Sequence, residues 1–153
     1  MIVRPALPAE DAVLAAHYLA LWASYATPPE AILADAEARI HSFIAEARRS
    51  KSLGVFLAEV DGSVAGSAAC QVYNSPYPEV TTPTYRRPGY IWSVWVEPDY
   101  RRRGVARALV ERAVTHLRDQ GCTLAILNAS EAGKPLYQQI GFSDANEMRL
   151  PLR

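Results

Sequence analysis

Three consecutive arginines, Arg101, Arg102 and Arg103, stand directly before Gly104, Val105 and Ala106, and an apolar run ending at Val94-Trp95-Val96 leads into them. Apolar strand, short turn, glycine and helix start, in that order, present unpaired backbone amides and the positive end of a helix dipole to a phosphate. Gly104 has no Cβ, so the main chain there can approach an anion closely, and Ala106 is the next smallest residue two positions on. The amides of residues 102–107 are the predicted donors. Arg86, Arg87 and Arg107 fall in the same central stretch. The whole chain is nevertheless balanced, with 16 basic and 16 acidic residues among 153. That balance points to an anionic ligand of local size and argues against nucleic acid or a membrane surface as partner.

The remaining chemistry-bearing residues are sparser. Cys70 and Cys122 form no CxxC or Cys/His spacing, so neither a metal site nor a disulfide framework is expected, and a reducing compartment is. His17, His41 and His116 are scattered over predicted helices without a partner carboxylate at a diagnostic spacing. No P-loop pattern occurs. The first residues lack the apolar segment of a signal peptide, and no apolar run reaches the roughly 18 residues of a spanning helix. A soluble, cytoplasmic chain follows as the expectation, and 153 residues at 50% hydrophobic predict a single domain over 1–153.

The elements that must position the arginines can be read in order. Residues 2–4 suit a short edge strand. Val13, Leu14, His17, Tyr18, Leu21, Trp22 and Tyr25 repeat at helical spacing. Thr27-Pro28-Pro29-Glu30 carries start signals for a second helix, with a buried stripe of Leu33, Ala36, Ile40, Phe43, Ile44 and Ala47. Residues 55–60 and 64–73 read as strands joined at Asp61-Gly62. Four prolines make 74–88 a long loop. A strand at 90–96, a helix at 102–119 and a short buried strand at 123–127 follow, the helix making the two strands parallel. On the strand at 90–96, Trp92 shares a side with Val94 and Val96, and Trp95 faces the other way. A shorter helix ends at Ile140 with Gly141 beyond it, and 146–150 suit a closing strand.

At this level Arg101-x-x-Gly104-x-Ala106, following Val-Glu-Pro, resembles the Gln/Arg-x-x-Gly-x-Gly/Ala signature of the GNAT superfamily of acyl-CoA-dependent N-acetyltransferases. Residues 129–142, ending Leu136-Tyr137-x-x-x-Gly141-Phe142, are similar to the family's second signature, in the right order and at a suitable separation. The element order matches as well, so the resemblance covers nearly the whole chain. It implies an α/β fold with a central mixed sheet of about six to seven strands flanked by about four helices.

By similarity the strands at 90–96 and 123–128 splay apart, often at a bulge, and pantetheine lies in the gap against Val94, Trp95 and Val96. The cofactor is then acetyl-CoA, with its pyrophosphate on residues 101–106. Family members often open the second signature with Asn seven residues before the Tyr. Here Ser130 stands at that position, Asn128 is the alternative contact, and Gly133 replaces a common Ala. Tyr137 falls where the family places a general acid. A phenol near pKa 10 can hydrogen-bond a thiolate whose pKa is about 8.5, taking cysteine as a guide. The attacking amine needs a base, for which Glu97, Glu79 and Tyr90 are candidates. The alternative is a non-catalytic acyl-CoA-binding or sensor domain of the same fold; Tyr137 favours the enzyme. Aminoglycoside, polyamine, amino acid and protein amine all stay open as acceptors, and family members commonly form homodimers.

Overall fold

The computed structural model describes residues 1–152. Its central hairpin turns on Asp61 and Gly62, at φ 52° and 79°, the left-handed pair that a two-residue turn between twisted strands requires. This joins β2 (Gly54–Val60) to β3 (Ser63–Val72). With β1 (Ile2–Pro5), β4 (Pro88–Val96) and β5 (Leu124–Ile126) they form one sheet in chain order, antiparallel except for the β4–β5 pair. That pair is parallel, as the intervening helix demands.

Helices cover both faces. α1 (Asp11–Ser24) and α2 (Ala36–Ser50) bury Leu14, Ile40, Ile44 and Ala47 against Val55, Leu57 and Ala69. α3 (Val105–Asp119) buries Val105, Leu109, Val110, Ala113 and Leu117 against Phe56, Ala68, Cys70 and Ile91 on the opposite face. α4 (Lys134–Ile140) ends at Gly141, whose φ of 111° stops the helix.

Several boundaries differ from expectation. The Thr27-Pro28-Pro29 signal starts only a single 3-10 turn at Pro29–Ala31, because Ile32 turns extended at φ −86°, ψ 128°. α2 begins four residues later, so Leu33 lies outside the helix and is 58% exposed instead of buried. α3 begins at Val105 and not at 102, since Arg102 and Gly104 sit at φ 59° and 81°. Among the described residues the expected closing strand at 146–150 is absent, and the sheet has five strands, not six to seven. Met148 and Leu150 alternate as a strand would, but at 94% and 79% exposure they have no sheet face to bury them. The segment is instead held by side chains: Lys134 pairs with Asp144 at 2.9 Å, and Arg149 donates to Asn128 Oδ1 at 3.0 Å.

One irregularity governs β4. Ser67 pairs with Trp95 and Ala69 with Trp92, so two residues of β4, Ser93 and Val94, oppose Ala68 alone. Ser93 absorbs the extra residue at φ 53°. Side chains alternate with period two, so one added residue reverses every side chain beyond it. Trp92 and Trp95, predicted to face opposite ways, therefore lie on the same face. Trp92 meets Tyr18 edge-on at 5.6 Å and Trp95 lies 6.4 Å from His17, both partners on α1. Val94 and Val96 turn to the α3 side.

Close approach of β3 to β4 beside this bulge depends on Gly66. A Cβ there would stand 2.4 Å from the Trp95 carbonyl oxygen, backbone that no side-chain rotation can clear. Gly66→Ala should lower stability by about 1–3 kcal/mol. A urea midpoint equal to wild type would show that the two strands separate freely.

Candidate functional site

β4 and β5 pair only from Pro88–Leu124 to Tyr90–Ile126 and then part. Between them opens a cavity of about 580 Å3, walled by Ile91–Val96 on one side and by Leu127 and Asn128 on the other. The Glu97 N–H donates to Ala65 O at 2.9 Å on the β3 side, so by alternation the N–H and C=O of Val96 face the gap. Val94 stands two residues back with the same orientation.

At one end of the cavity lies the start of α3. Its first intrahelical bond runs from Ala108 N–H to Gly104 O at 3.1 Å, which leaves the amides of Val105, Ala106 and Arg107 without a helical acceptor. A Cβ added to Gly104 meets nothing within 4 Å. The glycine is needed for its positive φ, and the space above it is an open cradle into which any side chain would project. Unpaired amides, an open cradle and arginines at the rim fit a diphosphate.

The arginines are not equivalent. Arg101 folds back, its Nε donating to Val96 O at 3.1 Å and its guanidinium lying 5.2 Å from the Trp95 ring centre. Arg102 lines the cavity, as does Arg107, which also donates to Gln139 Oε1 at 2.9 Å. Arg103 stands off the cavity wall, stacked 5.7 Å from the Tyr100 ring.

Across the gap, α4 presents Tyr137. Burial pushes its phenol above the ordinary value, with Tyr25 adding to the shift, so it stays a neutral O–H donor. Gly133 makes room for it: a Cβ there would lie 3.1 Å from Tyr137 Cε2 and 3.2 Å from Ser130 Oγ. Ser130 and Asn128 both line the cavity. Ser130 Oγ accepts from the Gly133 N–H at 3.1 Å, which leaves its own proton to offer. Asn128 Oδ1 accepts from Arg149, which leaves its amide N–H groups. Ser93, 4% exposed, lines the same cavity with a buried hydroxyl that has no partner among the described residues.

Glu97 lies elsewhere. Beyond the bulge it points to the α1 side, where Oε1 is 3.0 Å from His17 Nε2, and His17 Nδ1 is 2.8 Å from Ser67 Oγ. It does not line the cavity. Glu79 is exposed in the loop, and Tyr90 lines a second cavity. The Ser67–His17–Glu97 chain escaped the sequence reading because its members are 50 and 80 residues from His17. The one signal was a histidine within an apolar helical stripe, since a buried imidazole needs partners. The thiol of Cys70 is pushed up to about 12 by burial, and that of Cys122 is raised for the same reason, so neither is an activated nucleophile. No group of three metal-ligating side chains occurs among the described residues.

Known structures share this fold. An N-acetyltransferase of Ralstonia eutropha superposes with a TM-score of 0.82 at 25% identity, covering 99% of this chain and 97% of that one. An acetyltransferase of Clostridium acetobutylicum solved with acetyl-CoA gives 0.80 at 24% identity, with 99% and 96% covered. Among sequences, glucosamine 6-phosphate N-acetyltransferase of Trypanosoma brucei brucei is 34% identical over 112 residues, covering 71% of this chain and 73% of that protein. Mycothiol acetyltransferase of Thermomonospora curvata is 32% identical over 93 residues, 59% of this chain and 28% of that protein. Residues 17–142 match the model of the acetyltransferase (GNAT) family. The chain belongs to that family and is an acetyltransferase.

The buried imidazole also marks the pH response of the fold. Burial lowers the pKa of His17 below its ordinary value against the opposing pull of Glu97. The unfolded chain then binds the proton more readily, so stability is fully present above about pH 6.5 and falls as pH drops through the depressed folded value. The slope should reach at most about 1.4 kcal/mol per pH unit. Urea titrations between pH 7.5 and 5 should show His17→Gln with a shallower loss than wild type; parallel curves would remove His17 as the source.

Proposed function

We propose that the chain transfers the acetyl group of acetyl-CoA to a primary amine by direct attack in a ternary complex. The observation that carries this reading is the neutral Tyr137 hydroxyl on one wall of a gap whose other end is the amide cradle at Gly104. Acetyl-CoA supplies an activated thioester carbonyl. The amides of 102–106, with Arg101 and Arg102, hold its diphosphate. The gap-facing groups of Val94 and Val96 take the pantetheine amides beside Trp95, and Ser130, Asn128 and Gly133 line the opposite wall.

Tyr137 acts as the acid by hydrogen-bonding the departing sulfur. Its raised phenol pKa lies well above a thiol near 8.5, so it stabilises the thiolate as a donor and gives up its proton only as another arrives. Glu97 takes the amine proton through water, its carboxylate held by His17 Nε2. Relatives named for glucosamine 6-phosphate and for the alanine of a ribosomal protein support an amine acceptor. The family match over 17–142 and the one continuous sheet support a single domain over 1–153. Among the described residues no helix is long and apolar enough to cross a membrane. A cytoplasmic chain is part of this proposal, and a homodimer is what the family resemblance implies for it.

Tyr137→Phe should bind CoA as wild type does while kcat falls about 10²-fold, read by calorimetry and by thiol release. Unchanged turnover would remove the phenol from the mechanism. Gly104→Val should lose CoA binding in the calorimeter, because a β-branched residue refuses φ 81° and distorts the cradle. Wild-type affinity would place the diphosphate elsewhere.

A further inference from the structure

A second cavity of about 450 Å3 opens on the face covered by α1 and α2, and Trp92 belongs to the walls of both cavities. Five of its wall residues are aromatic: Tyr18, Phe43, Tyr73, Tyr90 and Trp92. Tyr18 and Phe43 stand edge-on to Trp92, at 5.6 Å and 85° and at 5.5 Å and 83°. Tyr73 and Tyr90 lie 5.4 Å apart, tilted by 46°. The walls thus offer ring faces and edges in several orientations, the surroundings in which an added aromatic ring gains most over a saturated one.

Two polar atoms within these walls have no partner among the described residues: the Gln71 side-chain oxygen, on a residue only 6% exposed, and the Trp92 indole N–H. One accepts and the other donates. A buried group left unpaired costs about 1–3 kcal/mol, so a ligand hydroxyl, which both donates and accepts, suits the cavity better than a hydrocarbon does.

Charge narrows the choice further. No carboxylate lines either cavity among the described residues, so a polycation would find nothing to neutralise it. Arg39 is the sole cation of the second cavity, and its Nε is already committed to Asp35 at 2.8 Å, a poor seat for a phosphate.

We propose that this second cavity holds the side chain of the acceptor and that the acceptor is an arylalkylamine carrying a ring hydroxyl. The ring lies among Tyr18, Phe43 and Trp92, its hydroxyl donates to Gln71 Oε1 and accepts from Trp92 Nε1, and the short alkyl arm carries the amine past Trp92 into the cavity that contains Tyr137. Tyr90 and Tyr73 close the far wall. This assignment rests on the acetyltransfer reading of the first cavity, and its test separates the two.

Tyrosol, the amine-free alcohol corresponding to tyramine, cannot be N-acetylated and reports the second cavity alone. Calorimetry on the full chain without acetyl-CoA should show saturable tyrosol binding, with 2-cyclohexylethanol at least about threefold weaker. Gln71→Leu should weaken tyrosol about fivefold and leave 2-phenylethanol within about twofold, because only the hydroxyl loses its acceptor. Phe43→Ala, at a residue 46% exposed and tolerant of truncation, should weaken both aryl ligands, which keeps the test open if Gln71→Leu does not fold. Absent tyrosol binding, or binding that neither variant alters, overturns the assignment. Thiol release with tyramine, spermidine and glucosamine 6-phosphate then judges the chemistry. Tyramine should be turned over with the highest kcat/KM, and preference for either of the others overturns the aryl acceptor. Tyrosol binding as expected without thiol release from any amine sinks the acetyltransfer reading and leaves the cavity's ligand class standing.

Discussion

A single extra residue in β4 sets the geometry on which the site depends. Had Ser93 taken a regular place in the ladder instead of bulging, strict alternation from Trp92 would have turned Trp95 and Glu97 toward α3 and Val94 and Val96 toward α1. The bulge keeps the valines on the apolar α3 face and brings Trp95 and Glu97 to His17. It lies just past the last β4–β5 pair, where the strands separate. Strand separation and phase reversal are thus local to the same few residues. The left-handed backbone of a non-glycine residue costs of order 1 kcal/mol, and the antiparallel ladders on both sides of Ser93 hold it there.

The two cavities follow from this geometry and are complementary in chemistry. One is long, lies between strands, and has free backbone groups along its edge and arginines at its end. The other is bounded by aromatic side chains from α1, α2, β4 and Tyr73 just past β3, with Gln71 of β3 among them. Trp92 is common to both because it precedes the bulge and so keeps its original face. The long groove can be built largely from main chain, whose groups are the same for any sequence. The second depends on side chains alone, which is where specificity for the acceptor can vary without disturbing the first.

How much of this was legible in the sequence varied with the physical origin of each feature. Asp61-Gly62 and Gly141 declared their turns because their backbone angles favour few other residues. Arg101-x-x-Gly104-x-Ala106 and Leu136-Tyr137-x-x-x-Gly141-Phe142 located the long cavity for the same reason: local conformation there is written in local residue types. The bulge was not legible. Its residue is a serine, unremarkable in a strand, and the phase of β4 could only be decided by the register with β3. Misplacing that phase put Trp92 and Trp95 on opposite faces and hid the pairing of His17 with Glu97. The closing strand at 146–150 failed for a related reason, since alternation predicts a strand only if a face exists to receive it. The second cavity draws on four elements and left no contiguous trace.

The arginines near the cradle invite a last consideration. Arg101 is already laid over Trp95 and bonded to the Val96 carbonyl, Arg103 over Tyr100, and Arg107 braced by Gln139. Long cationic side chains that swing freely must surrender rotamer freedom when an anion arrives, roughly 0.5–1.5 kcal/mol for each one immobilised. In this chain much of that ordering has already happened during folding. The rim is therefore a fixed pattern of positive charge, which an incoming anion senses before contact, and recognition there is governed by encounter rate and ionic strength more than by adjustment after docking.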